Sequence, residues 1–267
     1  MELVEKLKKN VILQHRELLL ALAKRDIIAR YKGSILGMLW NFINPLLMLT
    51  IYSFVFGLVF KAKWGVDVNK NFAVILYCGL IIHSFLAEVI NSCPNLMQYN
   101  ANYVKKIVFP LEILPLKIIL TSVFNLMVNF LILLVFIILG SFEVSVYWLY
   151  FPLVIFPLLV LSTGIAFLIS AIGAYVKDTA YIVGFITTVL LFLSPIFYPM
   201  SAIPENYHIY IYINPLAYII EQARIVMIYE DVPDVIGIAI YTIVSFFILI
   251  ISINVFKKLK SGFSDVI

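Results

Sequence analysis

Between Lys32 and Lys61 lie 28 residues without a charged side chain. As an α-helix such a run is about 42 Å long at about 1.5 Å per residue, against about 30 Å of hydrocarbon in a bilayer. It can therefore cross a membrane with length to spare. On its N-terminal flank Lys24, Arg25, Asp26, Arg30 and Lys32 belong in water or among lipid headgroups, so the chain changes solvent here and the first span begins near Gly37.

The rest of the sequence has the same character. It is 63% hydrophobic and 13% charged, where a soluble domain has about 45–50% apolar and about 25% charged residues. Several apolar runs exceed 18 residues, whereas a membrane barrel alternates apolar and polar over segments of about 10. The fold class is all-α integral membrane. The start, MELVEKLKKN, has no apolar core and no small-residue cleavage site, so no removable signal peptide is expected. Cys78 and Cys93 are the two cysteines. If they share a helix they stand about 22 Å apart, beyond the roughly 7 Å reach of a disulfide.

Residues 1–36 carry eight Lys/Arg and four Asp/Glu among many leucines. Leu20, Ala23, Ile27 and Tyr31 share one helical face while Arg25 and Lys32 point away, so the segment can lie flat at the interface. Span 1 covers about 37–60, followed by a loop with Lys61, Lys63 and Lys70. Span 2, about 72–93, contains His83 and Glu88 and ends at Pro94. The link QYNANYVKKIVFPLE predicts one short helix around Ala101–Ile107, ended by Pro110. Spans 3, 4 and 5 are about 113–139, 148–174 and 180–198, and span 6 is about 234–256, followed by Lys257, Lys258 and Lys260.

Segment 199–233 is broken by Pro204, Glu205, Pro215, Glu221, Arg224 and Glu230, and neither half offers about 20 uninterrupted apolar residues. With no crossing here, 15 Lys/Arg fall on the side of the termini and four on the other. The positive-inside rule then places both termini in the cytoplasm and makes 199–233 an external re-entrant hairpin or a pair of short surface helices. Six tyrosines, Tyr198, Tyr207, Tyr210, Tyr212, Tyr218 and Tyr229, suit that interfacial depth. With no internal repeat or long linker, 1–267 reads as one membrane domain, with 37–198 as spans 1–5, 234–256 as span 6 and 257–267 as a cytoplasmic tail.

No glycine begins a phosphate-cradling GxxxxGK[ST] loop, and no HExxH or GxSxG motif occurs, so neither ATP binding in that manner nor catalysis is expected of this chain. His15, His83 and His208 lack metal-ligand spacing, and no metal is expected. Glu88, the one acid well inside a span, is a pathway candidate because burying its charge is costly. Ala166, Ser170 and Ala174 form a small-residue row suited to close helix packing.

Four stretches, RDIIARYKGSILGMLWNFINPL from Arg25, KKIVFPLEILPL from Lys105, VKDTAYIVGFITTVLLFLSPIFYPM from Val176 and NPLAYIIEQAR from Asn214, resemble the membrane subunit of ABC-2 type polysaccharide exporters. That family moves lipid-linked O-antigen, capsule or teichoic acid chains out of bacteria. The resemblance implies a homodimeric channel in the bacterial cytoplasmic (inner) membrane, driven by two copies of a separate ATPase that binds ATP and Mg. No cofactor is then bound by this chain, and its other partners are lipid-linked polysaccharide and membrane lipid, not nucleic acid. Carried over by residue, Arg25, Asp26, Arg30 and Tyr31 form one contact with the ATPase, and Lys105, Lys106, Phe109, Pro110 and Glu112 the other.

A polysaccharide offers hydroxyls and apolar C–H faces, for which aromatic surfaces are suited. On span 1, Phe42, Leu49, Tyr52, Phe56 and Phe60 fall within about 80° of one face, and on span 5 Tyr181, Phe185, Thr188 and Phe192 do the same. These stripes are the expected channel lining. The external hairpin is the expected gate, with Pro199, Tyr207, Tyr210, Asn214, Pro215 and Arg224. Arg224 is either a contact for the lipid carrier's pyrophosphate or the partner of Glu221 three residues earlier. Alternatives are an ABC-2 permease for a drug or small amphipathic molecule, a membrane-embedded lipid-carrier glycosyltransferase, and a passive scramblase that needs no ATPase.

Overall fold

The computed structural model describes residues 14–30, 32–59, 72–106, 109–139 and 145–267. Tyr31, Phe60 and the three lysines after span 1 lie outside the described residues. Eight principal helices follow one another: α1 (Arg16–Arg30), α2 (Trp40–Tyr52), α3 (Phe72–Ser92), α4 (Ile113–Leu139), α5 (Phe151–Tyr175), α6 (Thr179–Leu193), α7 (Pro215–Arg224) and α8 (Val235–Leu259). Among the described residues five helical stretches are long and apolar enough to cross a membrane, and α6, at 15 residues, is shorter.

The α3 helix is the axis of the bundle. It is enclosed by α4, α5, α6 and α7, whereas α2 and α8 lie at the periphery with most of their side chains uncovered. The most extensive helix pair is α5 with α8. A Cβ on Gly164 would sit 3.0 Å from the Leu249 backbone, so the two helices meet at van der Waals distance there. Small residues allow this in a membrane, where dispersion contacts replace a hydrophobic drive. Ala166, Ser170 and Ala174, the expected small-residue row, are all buried on α5. Gly173 admits no side chain at all, because the Pro94 backbone occupies that space, and its carbonyl accepts a hydrogen bond from Gln98 Nε2 at 2.7 Å.

Two sets of ends are distinguishable. On one face α1, the link after α3, the end of α5 and the C-terminal end meet: Tyr175 donates to the Leu259 carbonyl at 2.7 Å, and Lys260 reaches Glu112. On the opposite face are the end of α6, α7 and the start of α8. Asp234 caps α8 by accepting from Gly237 N at 3.0 Å, and Asn214 caps α7 by accepting from Leu216 N at 2.9 Å, with Pro215 at the first helical position. Segment 195–234 therefore leaves and rejoins the same face, the re-entrant layout expected from parity.

Four expectations need correcting. Span 5 stops at Leu193 rather than 198, because Ser194 adopts extended backbone ahead of Pro195. The link helix is two four-residue turns, Leu96–Tyr99 and Ala101–Val104, and 107–108 lie outside the described residues. On α1 the buried residues are Leu19, Leu22 and Ala23, while Leu20 is exposed. Of the two alternatives for 199–233, a pair of surface helices does not hold for 215–229: Leu216, Ala217, Ile219, Ile220, Ala223 and Val226 belong to the core around α3. Cys78 and Cys93 are both buried and unpaired with each other, as their spacing required.

Candidate transport site

The basic face is held together by ion pairs between elements far apart in sequence. Arg30 Nη2 at the end of α1 donates to Glu88 Oε1 on α3 at 2.7 Å, and Asn125 Nδ2 on α4 donates to the same oxygen at 2.7 Å. Lys117 Nζ on α4 lies 2.6 Å from Asp26 Oδ2 and is buried. Arg25 bridges Asp26 at 3.3 Å and the Tyr103 hydroxyl at 3.1 Å. The Tyr103 hydrogen bond is the chief reason that the Arg25 pKa lies above its ordinary value, so this charge is permanent. Tyr103 stacks on Phe109 at 4.5 Å, and Lys106 Nζ stands 5.8 Å from the Tyr103 ring. Lys260 closes the set with 2.8 and 2.9 Å contacts to both Glu112 carboxylate oxygens.

Of the residues expected at this face, Arg25, Asp26, Arg30, Phe109 and Glu112 are thus brought into one layer. Pro110 lies three residues before α4, its carbonyl accepting from Ile113 N at 3.1 Å. Lys105 and Lys106 remain exposed. Sequence reasoning missed Tyr103, Lys117, Asn125 and Lys260. Lys117 carried a signal, since a lysine one turn inside an apolar helix needs a partner.

The opposite face is organised by Arg224, only 1% exposed. Its guanidinium donates to the carbonyls of Pro195, of Ile196 at 3.1 Å and of Ile75 at 3.4 Å, and its Nη1 lies 3.8 Å from Glu221 Oε1. It thereby ties the broken end of span 5 and the re-entrant segment to α3. Asn214 adds a second tie, donating to Ser194 Oγ at 2.8 Å. Tyr207 and Tyr210 are exposed, and Pro199 is half-buried.

Between the faces, the expected lining residues separate into two groups. Phe56 stacks on Phe72 at 5.5 Å and on Phe197 at 6.1 Å, Tyr52 lies 6.3 Å from Phe56, and Phe192 stacks on Phe197 at 6.1 Å. Tyr52, Phe56 and Phe192 therefore belong to one aromatic cluster joining α2 to α6, and Leu49 beside them is buried. Tyr181 and Phe185 are 81% and 71% exposed on α6, and Phe42 is 40% exposed on α2. Among the described residues there is no group of three His, Cys, Asp or Glu side chains that would hold a metal ion.

Apolar helices packed around a buried central one, with charged side chains gathered and paired at one face, define a polytopic α-helical membrane protein. Residues 17–228 match the model of the ABC-2 type transporter family, and the chain belongs to that family. It is a family of transporters rather than of enzymes. The chain is similar to the O-antigen export system permease protein RfbA of Klebsiella pneumoniae, with 27% identity over 94% of this chain and 95% of that one. A protein of the same name from Myxococcus xanthus is 24% identical over 94% and 96% of the two chains. The polysialic acid transport protein KpsM of Escherichia coli is 25% identical over 85% and 89%.

Proposed function

We propose that this chain is the permease subunit of an ATP-driven exporter that moves lipid-linked polysaccharide across the bacterial cytoplasmic membrane. The observation that carries this reading is the similarity, over nearly the whole length of both chains, to permeases named for O-antigen export and polysialic acid transport. Two copies of the chain form the conduit, and two copies of a separate ATPase supply the energy. ATP and Mg bind to the ATPase, and the positive-inside rule supports termini in the cytoplasm. The whole chain serves as one transmembrane domain.

The ion-paired layer gives a physical route for coupling. A force applied at Lys105, Lys106 and the neighbouring turn passes through Tyr103 to Arg25, through Asp26 to Lys117 on α4, and through Glu112 to Lys260. Arg30 and Glu88 extend it to α3. On the far side Arg224 makes the end of span 5 and the re-entrant segment follow α3, so the gate responds to what happens at the ATPase face. This assigns Arg224 to holding the gate in place rather than to the carrier's pyrophosphate. Tyr181, Phe185 and Phe192 on α6, with Phe42 and Tyr52 on α2 and Phe56 just after it, supply the aromatic wall of the conduit.

Deleting the gene in its native host tests the cargo directly. Polymer is expected to accumulate inside the cell and to return to the surface when the chain is supplied again. Normal surface polymer in the deletion strain would contradict the reading.

A further inference from the structure

Every residue of α3 is buried except Ser84, Ala87, Glu88, Asn91 and Ser92. At about 100° per residue Ser84, Glu88 and Asn91 fall within about 60° of one another, and the row runs along about 10 Å of the helix. The outward-facing helices behave differently: α8 exposes Ile243 and Phe247, and Leu58 after α2 is 69% exposed. Large apolar side chains suit contact with lipid. An uncovered hydroxyl, amide and carboxylate do not, since polar atoms left facing hydrocarbon are costly.

We infer that this face of α3 lines the inner half of the conduit and binds the saccharide part of the cargo by accepting hydrogen bonds from its hydroxyls. Asn91 Nδ2 already donates to the Ala87 carbonyl at 2.8 Å and to Thr187 Oγ1 at 3.3 Å, so the group it offers an outside partner is its Oδ1 acceptor. Glu88 takes Arg30 and Asn125 on Oε1 and has Oε2 as its second acceptor. Ser84 contributes a hydroxyl one turn further in. A row of acceptors complements a polyol, whose hydroxyls are donors. A purely amphipathic small molecule gains little from it. The Asn91 contact with Thr187 joins this row to α6, where Thr188, Phe185 and Tyr181 are exposed. Hydroxyl-accepting and ring-stacking groups thus adjoin along two helices, the combination that a sugar chain uses.

The inference rests on the polysaccharide reading and is tested separately from it. Ser84→Cys and Asn91→Cys are made in the full chain in its native membranes, with Ile243→Cys as a lipid-facing control. Cys78 and Cys93 are buried, so the unsubstituted chain provides the background. A charged, water-soluble thiol reagent is applied from the cytoplasmic side of inverted vesicles, prepared with polymer synthesis on or off. Labelling at positions 84 and 91 is expected to be at least about tenfold faster than at 243, because the reactive thiolate forms where water reaches it. It is expected to slow when polymer fills the conduit. Labelling no faster than the control, or spontaneous disulfide-linked dimers at either position, would overturn the inference by placing the face in lipid or at a subunit contact. Fast labelling indifferent to polymer would overturn it by showing water without cargo. Surface polymer on unsubstituted cells reads the export function itself, so failure of that reading is seen independently.

Discussion

Arg30 and Glu88, 58 residues apart in sequence, meet at 2.7 Å and join the end of the interface helix to the central helix of the bundle. Asn125 holds the same carboxylate oxygen from a third helix. The contact ties a surface-lying segment to the central helix, so its polarity should be exchangeable while its presence should not.

Arg30→Glu brings two carboxylates together and is expected to lower polymer export several-fold. Adding Glu88→Arg in the same chain restores the attraction and should recover at least part of the export. Partly exposed pairs of this kind contribute about 1 kcal/mol or less, so the thermal midpoint in detergent should change little in the double variant. Export that stays lost in the double variant would mean that the individual residues matter and the pair does not.

At Arg224 a conservative change is expected to fail. The planar guanidinium serves the Pro195, Ile196 and Ile75 carbonyls at once, and a lysine ammonium is a point charge without that fork. Removing one partner of a buried, charge-assisted set costs about 3–5 kcal/mol. Arg224→Lys and Arg224→Met should both lower the thermal midpoint in detergent, with Lys the smaller loss. A midpoint unchanged in both variants would remove the clamp role.

The aromatic wall has a clean test and a confounded one. Phe56 is stacked between Phe72 and Phe197, so Phe56→Ala opens a packing defect of roughly 3 kcal/mol and disturbs export for structural reasons. Phe185 is 71% exposed. Phe185→Ala should leave the thermal midpoint and ATPase assembly unchanged while export falls. Unchanged export would take α6 off the cargo path.

Local sequence pattern carried the helices well and their mutual attachments poorly. Spans expected at 72–93, 113–139 and 234–256 are realised as Phe72–Ser92, Ile113–Leu139 and Val235–Leu259, because long apolar runs bounded by proline or charge leave few other boundaries. The end of α6 was misplaced by five residues, since Phe197 and Tyr198 are as apolar as the helix before them and only backbone direction separates the two. The pairs Lys117–Asp26, Lys260–Glu112 and Arg224–Ile75 cross 91, 148 and 149 residues, beyond any periodicity. For the same reason the choice between a re-entrant hairpin and surface helices stayed open for 215–229: its scattered charges dominate the pattern, while the Arg224 charge is in fact solvated by carbonyls from two other segments.

The most direct test of the account is the composition of the complex in native membranes. The tagged chain is solubilised in mild detergent, purified at low salt and analysed by quantitative mass spectrometry. A P-loop ATPase recovered in equal amount, and diminished when Lys105 and Lys106 are both changed to glutamate, is the predicted result. Recovery of this chain alone, under conditions that keep other membrane complexes whole, would contradict an ATP-driven exporter and undo the coupling route through Tyr103, Arg25 and Asp26.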